Sequence, residues 1–204
     1  MKKTIFALLA SFFFLTGSIF AQSLSLDDIC KVLSAHKVTE GNFVQKKYSP
    51  KDGRNMVSSG TFVFSTEGII LNTLRPISSK TGITPKAIIN ETSNGQRRIM
   101  DNSENATFSS ISNMVVAILN GDKTELENNF VCDISGTAQS WKVILTPKDS
   151  TIASTISSIE LNGNSSTITS LVMNASGNTT TTTLSNHSFK NGLSDENKKF
   201  LFAQ

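Results

Sequence analysis

Residues 58–71 read SSGTFVFSTEGIIL, and this short stretch decides the fold class. Phe62 and Phe64 fall on one face of a strand and Thr61 and Val63 on the other, the period of two that a pleated backbone imposes. Glu67-Gly68 is a turn signal, and Ile69-Ile70-Leu71 carries the chain back as a second strand, which Pro76 ends. Outward toward the N-terminus, a polar–apolar run from Gly41 to Ser49 precedes the turn Pro50-Lys51-Asp52-Gly53. Outward toward the C-terminus, strands are expected over Lys86–Thr92 and Arg97–Asp101, joined at Ser93-Asn94-Gly95. Phe130–Ile134, Trp141–Thr146, Ser158–Leu161, Thr167–Met173 and Thr179–Leu184 add five more, with Pro147-Lys148-Asp149 and Ser176-Gly177-Asn178 as breaks. Turn signals about every eight to twelve residues indicate antiparallel β structure.

Helical spacing interrupts this pattern in a few places. Leu26, Ile29, Cys30 and Leu33 repeat at helical intervals, with Ser25 as N-cap and Asp27-Asp28 in the first turn to suit the helix dipole. Phe108, Ile111, Met114, Val115, Ile118 and Leu119 mark an amphipathic helix that Asn120-Gly121-Asp122 stops. Short helices are expected at Thr124–Asn128, around Ile152 and Ile156, and over Leu193–Phe202. The sum is an α+β fold, one curved antiparallel sheet with helices on one face.

Composition sets the compartment. Of 13 Phe in 204 residues, Phe6, Phe12, Phe13, Phe14 and Phe20 lie in the first 21. Lys2-Lys3, an apolar run from Ile5 to Leu15 and a small-residue exit ending at Ala21 describe a secretory signal peptide, too short to span a bilayer. Residues 1–21 are therefore expected to be removed, leaving residues 22–204 as a single domain. Loss of Lys2 and Lys3 takes the formal charge from +3 to +1, which gives a nucleic-acid partner no electrostatic support. Asp27-Asp28-Ile29 before Cys30 argues against a lipid-anchoring cysteine. In an oxidising compartment Cys30 and Cys132 either form a disulfide or stand as two separate buried thiols.

Signals for catalysis are thin. HExxH, CxxC, GxSxG, a P-loop and GxGxxG are all absent from the sequence, so no catalytic residue, metal site or cofactor is expected. His187, between Asn186 and Ser188, reads as an exposed strand histidine, and Asp27-Asp28 as a helix start rather than an acid–base pair. The chain offers apolar surface instead: the stripe around Met114–Leu119 faces either a filled core or a cavity, and periodicity leaves both open.

Taken in order, several motifs resemble the periplasmic outer-membrane lipoprotein carrier family of the LolA type. Gly41-Asn42-Phe43-Val44-Gln45-Lys46 is similar to the family's FxQ strand, and Ser59-Gly60-Thr61-Phe62-Val63-Phe64 to the strand that follows it. Gly68-Ile69-Ile70-Leu71 through Arg75-Pro76 is similar to the strand before the family's proline. Leu145-Thr146-Pro147-Lys148 matches its LTPK turn, the sharpest of the set. Two departures stand out: Ser65-Thr66 where the family often has Arg-Pro, and Leu71 where it has a tryptophan.

The resemblance implies a half-open, strongly curved antiparallel sheet, an incomplete barrel of about ten or eleven strands, with helices forming a lid over an apolar cavity. It also implies a carrier that takes acylated lipoproteins from an inner-membrane ABC exporter to an outer-membrane acceptor, with no covalent chemistry and no cofactor. Phe43, Phe62, Phe64, Ile69 and Leu71 are the expected sheet side of the cavity. Ile111, Met114, Val115, Ile118 and Leu119 are the expected lid. A monomer in the periplasm is expected. The alternatives are a carrier or sensor of another lipid or glycolipid on the same scaffold, or a structural β-protein with a full interior.

Overall fold

The computed structural model describes residues 24–101, 112–114, 116–118 and 120–202. The proposed signal peptide, Phe108, Ile111, Val115 and Leu119 lie outside the described residues. Chain order is α1 (Leu26–Ser34), β1 (Val38–Ser49), β2 (Arg54–Ser65), β3 (Gly68–Arg75), β4 (Ser79–Ile83), β5 (Ala87–Thr92) and β6 (Arg97–Asp101). The described residues between 112 and 120 are helical. Next come α2 (Lys123–Asn129), β7 (Phe130–Thr137), β8 (Ser140–Pro147), α3 (Ser150–Ala153), β9 (Ile156–Gly163), β10 (Ile168–Ala175), β11 (Asn178–Lys190) and α4 (Asp195–Phe202).

All eleven strands form one sheet in the order β6-β5-β4-β3-β2-β1-β11-β10-β9-β8-β7. Neighbours are antiparallel throughout, so the sheet is a meander whose first and last strands meet in the middle as the β1–β11 pair. β6 and β7 end the order at opposite edges, and the curved sheet stays open. Asn186, at φ 54, sits where the β1–β11 register shifts, and the extra residue there bends β11.

Alternation along β2 and β3 sorts side chains into two layers. Phe62 pairs with Leu71 and Phe64 with Ile69 on the concave face, while Val63 pairs with Ile70 on the convex face. The larger core fills the concave side, where α1, α2 and the helical stretch bring Leu26, Ile29, Met114, Ile118 and Leu126 onto Trp141, Val143, Leu145, Ile159 and Leu161. Ser25 starts α1 with a reciprocal cap: its Oγ accepts from the Asp28 backbone N–H at 3.2 Å, and its own N–H donates to the Asp28 carboxylate at 3.1 Å. The Ser25 hydroxyl also donates to the Asp28 carboxylate at 2.6 Å, and this bond, with the one from the Ser25 backbone N–H, holds the carboxyl below its ordinary range. The LTPK turn closes the other side, since Leu145 is fully buried and the Lys148 backbone N–H donates to the Asn129 carbonyl, fixing β8 to the end of α2.

Three features depart from the sequence expectations. Helices cover both faces, because α4 packs Phe200 and Leu201 on the convex side against Val38, Ile70 and Ile89. β4 was not expected, since Ser-Lys-Thr-Gly-Ile alternates no apolar pair; its Gly82 has no Cβ because one would sit 3.0 Å from both Phe200 and Leu201. Ile156 begins β9 and is buried there, so the helical turn ends before it. Of the two states the sequence left open for Cys30 and Cys132, the structure has free thiols: Cys30 is buried in the concave core and Cys132 packs, partly buried, against it.

Two outcomes follow from this packing. Leu145→Ala, at the fully buried heart of β8, is expected to lower stability by about 2–5 kcal/mol, measured by denaturant unfolding. Burial pushes the Cys30 thiol up from 9.0 to about 11, so the native protein should resist alkylation at mildly alkaline pH and react fully once unfolded. The linked stabilisation is present below pH 9.0 and lost as pH rises toward about 11, because the unfolded thiol ionises first.

Candidate functional site

The helices do not fill the concave side. Between them and the sheet lies an apolar cavity of about 160 Å³. Its sheet wall is built by Phe64 of β2, Ile69 and Leu71 of β3 and Ile83 of β4, and continues across Ile159, Leu161, Ile168, Leu171, Met173 and Leu184 of β9 to β11. Met114 and Ile118, one helical turn apart, close it from the helical stretch. Among the described residues two polar side chains reach the wall, Gln45 and Thr182, which face each other across the β1–β11 pair. The Gln45 Nε2 donates to Thr182 Oγ1 at 3.2 Å, so the polar groups bind each other and leave the surface around them apolar.

Of the residues expected on the sheet side, Phe64, Ile69 and Leu71 stand on this wall. Phe43 and Phe62 do not; both are buried in the core beside it. Phe62 is held there by Gly41 opposite, where a Cβ would come within 2.7 Å of its ring, and by the rings of Phe64 and His187. Of the expected lid residues, Met114 and Ile118 are on the wall, and Ile111, Val115 and Leu119 lie outside the described residues. Leu171 and Met173 were missed. Their signal was present as alternation through Ile168–Met173, but nothing in the sequence separates a strand residue facing a cavity from one facing a helix.

His187 is half-buried rather than exposed. Its Nε2 lies 3.0 Å from the Ile168 carbonyl oxygen and its ring meets Phe62 edge-on, both consequences of the bulge at Asn186. It ties β11 to the start of β10 and serves packing. His36 stacks on Phe189 at 3.6 Å, well apart from it in the chain. Among the described residues, no three His, Cys, Asp or Glu side chains come together in a way that could hold a metal ion. The arrangement can shelter hydrocarbon; the polar chemistry on its wall is confined to one amide–hydroxyl pair.

At the entry to the helical stretch, Ser112 is fully buried and its hydroxyl has no hydrogen-bond partner. A hydroxyl left so costs about 1–3 kcal/mol in the closed arrangement.

Known structures resemble the fold of this chain. A DUF1329 family protein from Desulfovibrio piger has a similar structure, with a TM-score of 0.50 at 14% sequence identity over 87% of this chain and 95% of that one. A LolA superfamily protein from Nitrosomonas europaea aligns with a TM-score of 0.48 at 13% identity, over 86% of this chain and 94% of that one. No curated protein matches the sequence. The sequence pattern of the family described as outer membrane lipoprotein carrier protein LolA-like matches residues 21–190, which hold every strand of the sheet and the whole cavity wall. The chain belongs to this LolA-like family.

Proposed function

We propose that the protein is a periplasmic carrier that shelters the acyl chains of lipid-modified polypeptides in the cavity between the curved sheet and the helical stretch. The observation that carries this reading is the wall itself: an apolar surface whose two polar side chains are bonded to each other. Burying each CH₂ of an acyl chain is worth about 0.8 kcal/mol, so a long chain left in water costs roughly 10 kcal/mol. A carrier must cover most of that surface and still release it. Membership in a family named for outer-membrane lipoprotein carriage supports the same role, with an inner-membrane ABC exporter as donor and an outer-membrane acceptor as recipient.

Size sets the mechanism. A cavity near 150 Å³ stays dry and admits a guest of about the size of benzene, and the 160 Å³ here is comparable. A full acyl chain needs more room, so the helical stretch must move away from Phe64 and Leu71 for loading and return for transit. The unpartnered Ser112 hydroxyl lowers the cost of that movement. The family's Arg-Pro is replaced by Ser65-Thr66, and the Ser65 hydroxyl instead donates to the Gly68 carbonyl at 3.0 Å, within its own hairpin. Closure therefore rests on the apolar contacts of Met114 and Ile118. It involves no guanidinium from that hairpin.

The protein purified gently from a periplasm is expected to carry acylated polypeptide, read by intact mass spectrometry of what co-elutes. Free lipid in its place would favour a lipid or glycolipid carrier, and an empty protein under every gentle condition would sink the reading. Leu171→Glu, on the less deeply buried strand β10, is expected to reduce uptake of a fluorescent acyl probe at least tenfold while unfolding remains cooperative. Ser112→Ala is expected to stabilise the closed form by about 1 kcal/mol and slow probe uptake. Faster uptake with unchanged stability would contradict the role given to that hydroxyl.

A further inference from the structure

The turn end of the β1–β2 hairpin, residues 46–57, carries four exposed cations, Lys46, Lys47, Lys51 and Arg54, against one acid, Asp52. Asp52 is held by the Ser49 hydroxyl at 3.0 Å, and among the described residues none of the four cations enters an ion pair. The protein as a whole is formally only +3, so this end concentrates charge that the rest balances. Large apolar side chains are interleaved with it: Tyr48 is 43% exposed, Val57 50% and Met56 59%. The register sets each beside a cation or at the tip, with Lys46 opposite Val57 and Lys47 opposite Met56. On one side this end is an open edge, because β3 pairs with β2 only from Ser59 onward and leaves 54–58 without a partner there, while on the other side β11 accompanies β1 as far as Tyr48. Arg75 and the 75%-exposed Ile77 extend the same combination from the adjoining end of β3.

We infer that this hairpin end docks on a bilayer surface bearing anionic phospholipid headgroups. Cations alone would suit any polyanion. Aliphatic and aromatic side chains beside them would stay in water against a soluble polyanion, but at a bilayer they enter the headgroup–acyl boundary while the lysine stems extend to the phosphates. Guarding the open β2 edge against pairing accounts for Arg54 but not for Lys46 and Lys47, which lie on β1 between β2 and β11. It does not account for exposed Met56 and Val57 on that same edge, which such guarding would exclude. The location suits carriage: Gln45 on the cavity wall immediately precedes Lys46 and Lys47 on β1, so one strand leads from the cavity to the docking end. The inference stands apart from the identity of the cargo.

Co-sedimentation with vesicles tests it, using phosphatidylcholine alone and phosphatidylcholine mixed with phosphatidylglycerol. Binding is expected to the mixed vesicles only and to weaken as salt rises. Each cation near such a surface is worth about fivefold, so Lys46→Gln with Lys47→Gln should weaken partitioning about 30-fold. Met56→Ser with Val57→Ser should weaken it too while keeping the salt dependence. All four positions are exposed, so melting temperatures should match the parent, and uptake of an acyl probe by the lysine variant should not change. Equal binding to both vesicle types, binding to neither, or an unaltered lysine variant would overturn the inference. Unchanged binding by the Met56/Val57 variant, with heparin competing as well as the vesicles, would also overturn it and point to a soluble polyanion.

Discussion

Everything else in this molecule depends on an open, curved sheet having more apolar concave surface than its few helices can cover. Closing the barrel would remove that surface, and a thicker helical layer would fill it. Instead β6 and β7 stay apart at opposite edges, and α1, α2 and the helical stretch pack over Trp141, Val143 and Leu145. Met114 and Ile118 of that stretch lie over β2, β3 and β10 without filling the space beneath them, and that space is the cavity. The void is therefore a property of the architecture, set by strand count and helix placement, rather than of any one residue.

Strand alternation keeps the two faces chemically separate. On β3, Ile69 and Leu71 face the cavity while Ile70 lies beneath α4 with Phe200 and Leu201. The convex side of the other half is polar, with Asn162 donating to Ser170 at 3.2 Å and Asn174 to Ser158 at 3.0 Å. This explains a composition rich in serine, threonine and asparagine in a protein with a sizeable core: one face of each strand is buried and the other wet. It also lets the concave face change its contacts without disturbing the ladder, since the backbone bonds do not depend on what fills the cavity.

Much of this was legible in residues 58–71, because a hairpin with one apolar face is written in a period of two. The Ser25 cap of α1 was equally plain, whereas Asp149, read only as part of a strand break, also caps α3 by accepting from the Thr151 and Ile152 backbone N–H groups. β4 was hidden because its Gly82 is required by the side chains of α4, more than a hundred residues away, and such a requirement leaves no local trace. The cavity wall was legible in part. Phe43, Phe62 and Phe64 look alike as inward-facing strand residues. Only the contact of Phe62 with Gly41 and His187 sends it into the core, while Phe64 borders the void. Likewise Leu171 and Met173 are ordinary strand residues until the space between β10 and the helical stretch is seen.

The most direct test is methyl NMR of the protein labelled at isoleucine, leucine and methionine, titrated with an acylated dipeptide. Shift changes and contacts from the acyl methylenes are expected at Leu71, Leu171 and Met173 on the cavity wall, with Ile70 and Ile89 on the opposite face unchanged. Contacts at Ile70 and Ile89, or saturating binding with no change at the cavity methyls, would contradict the account.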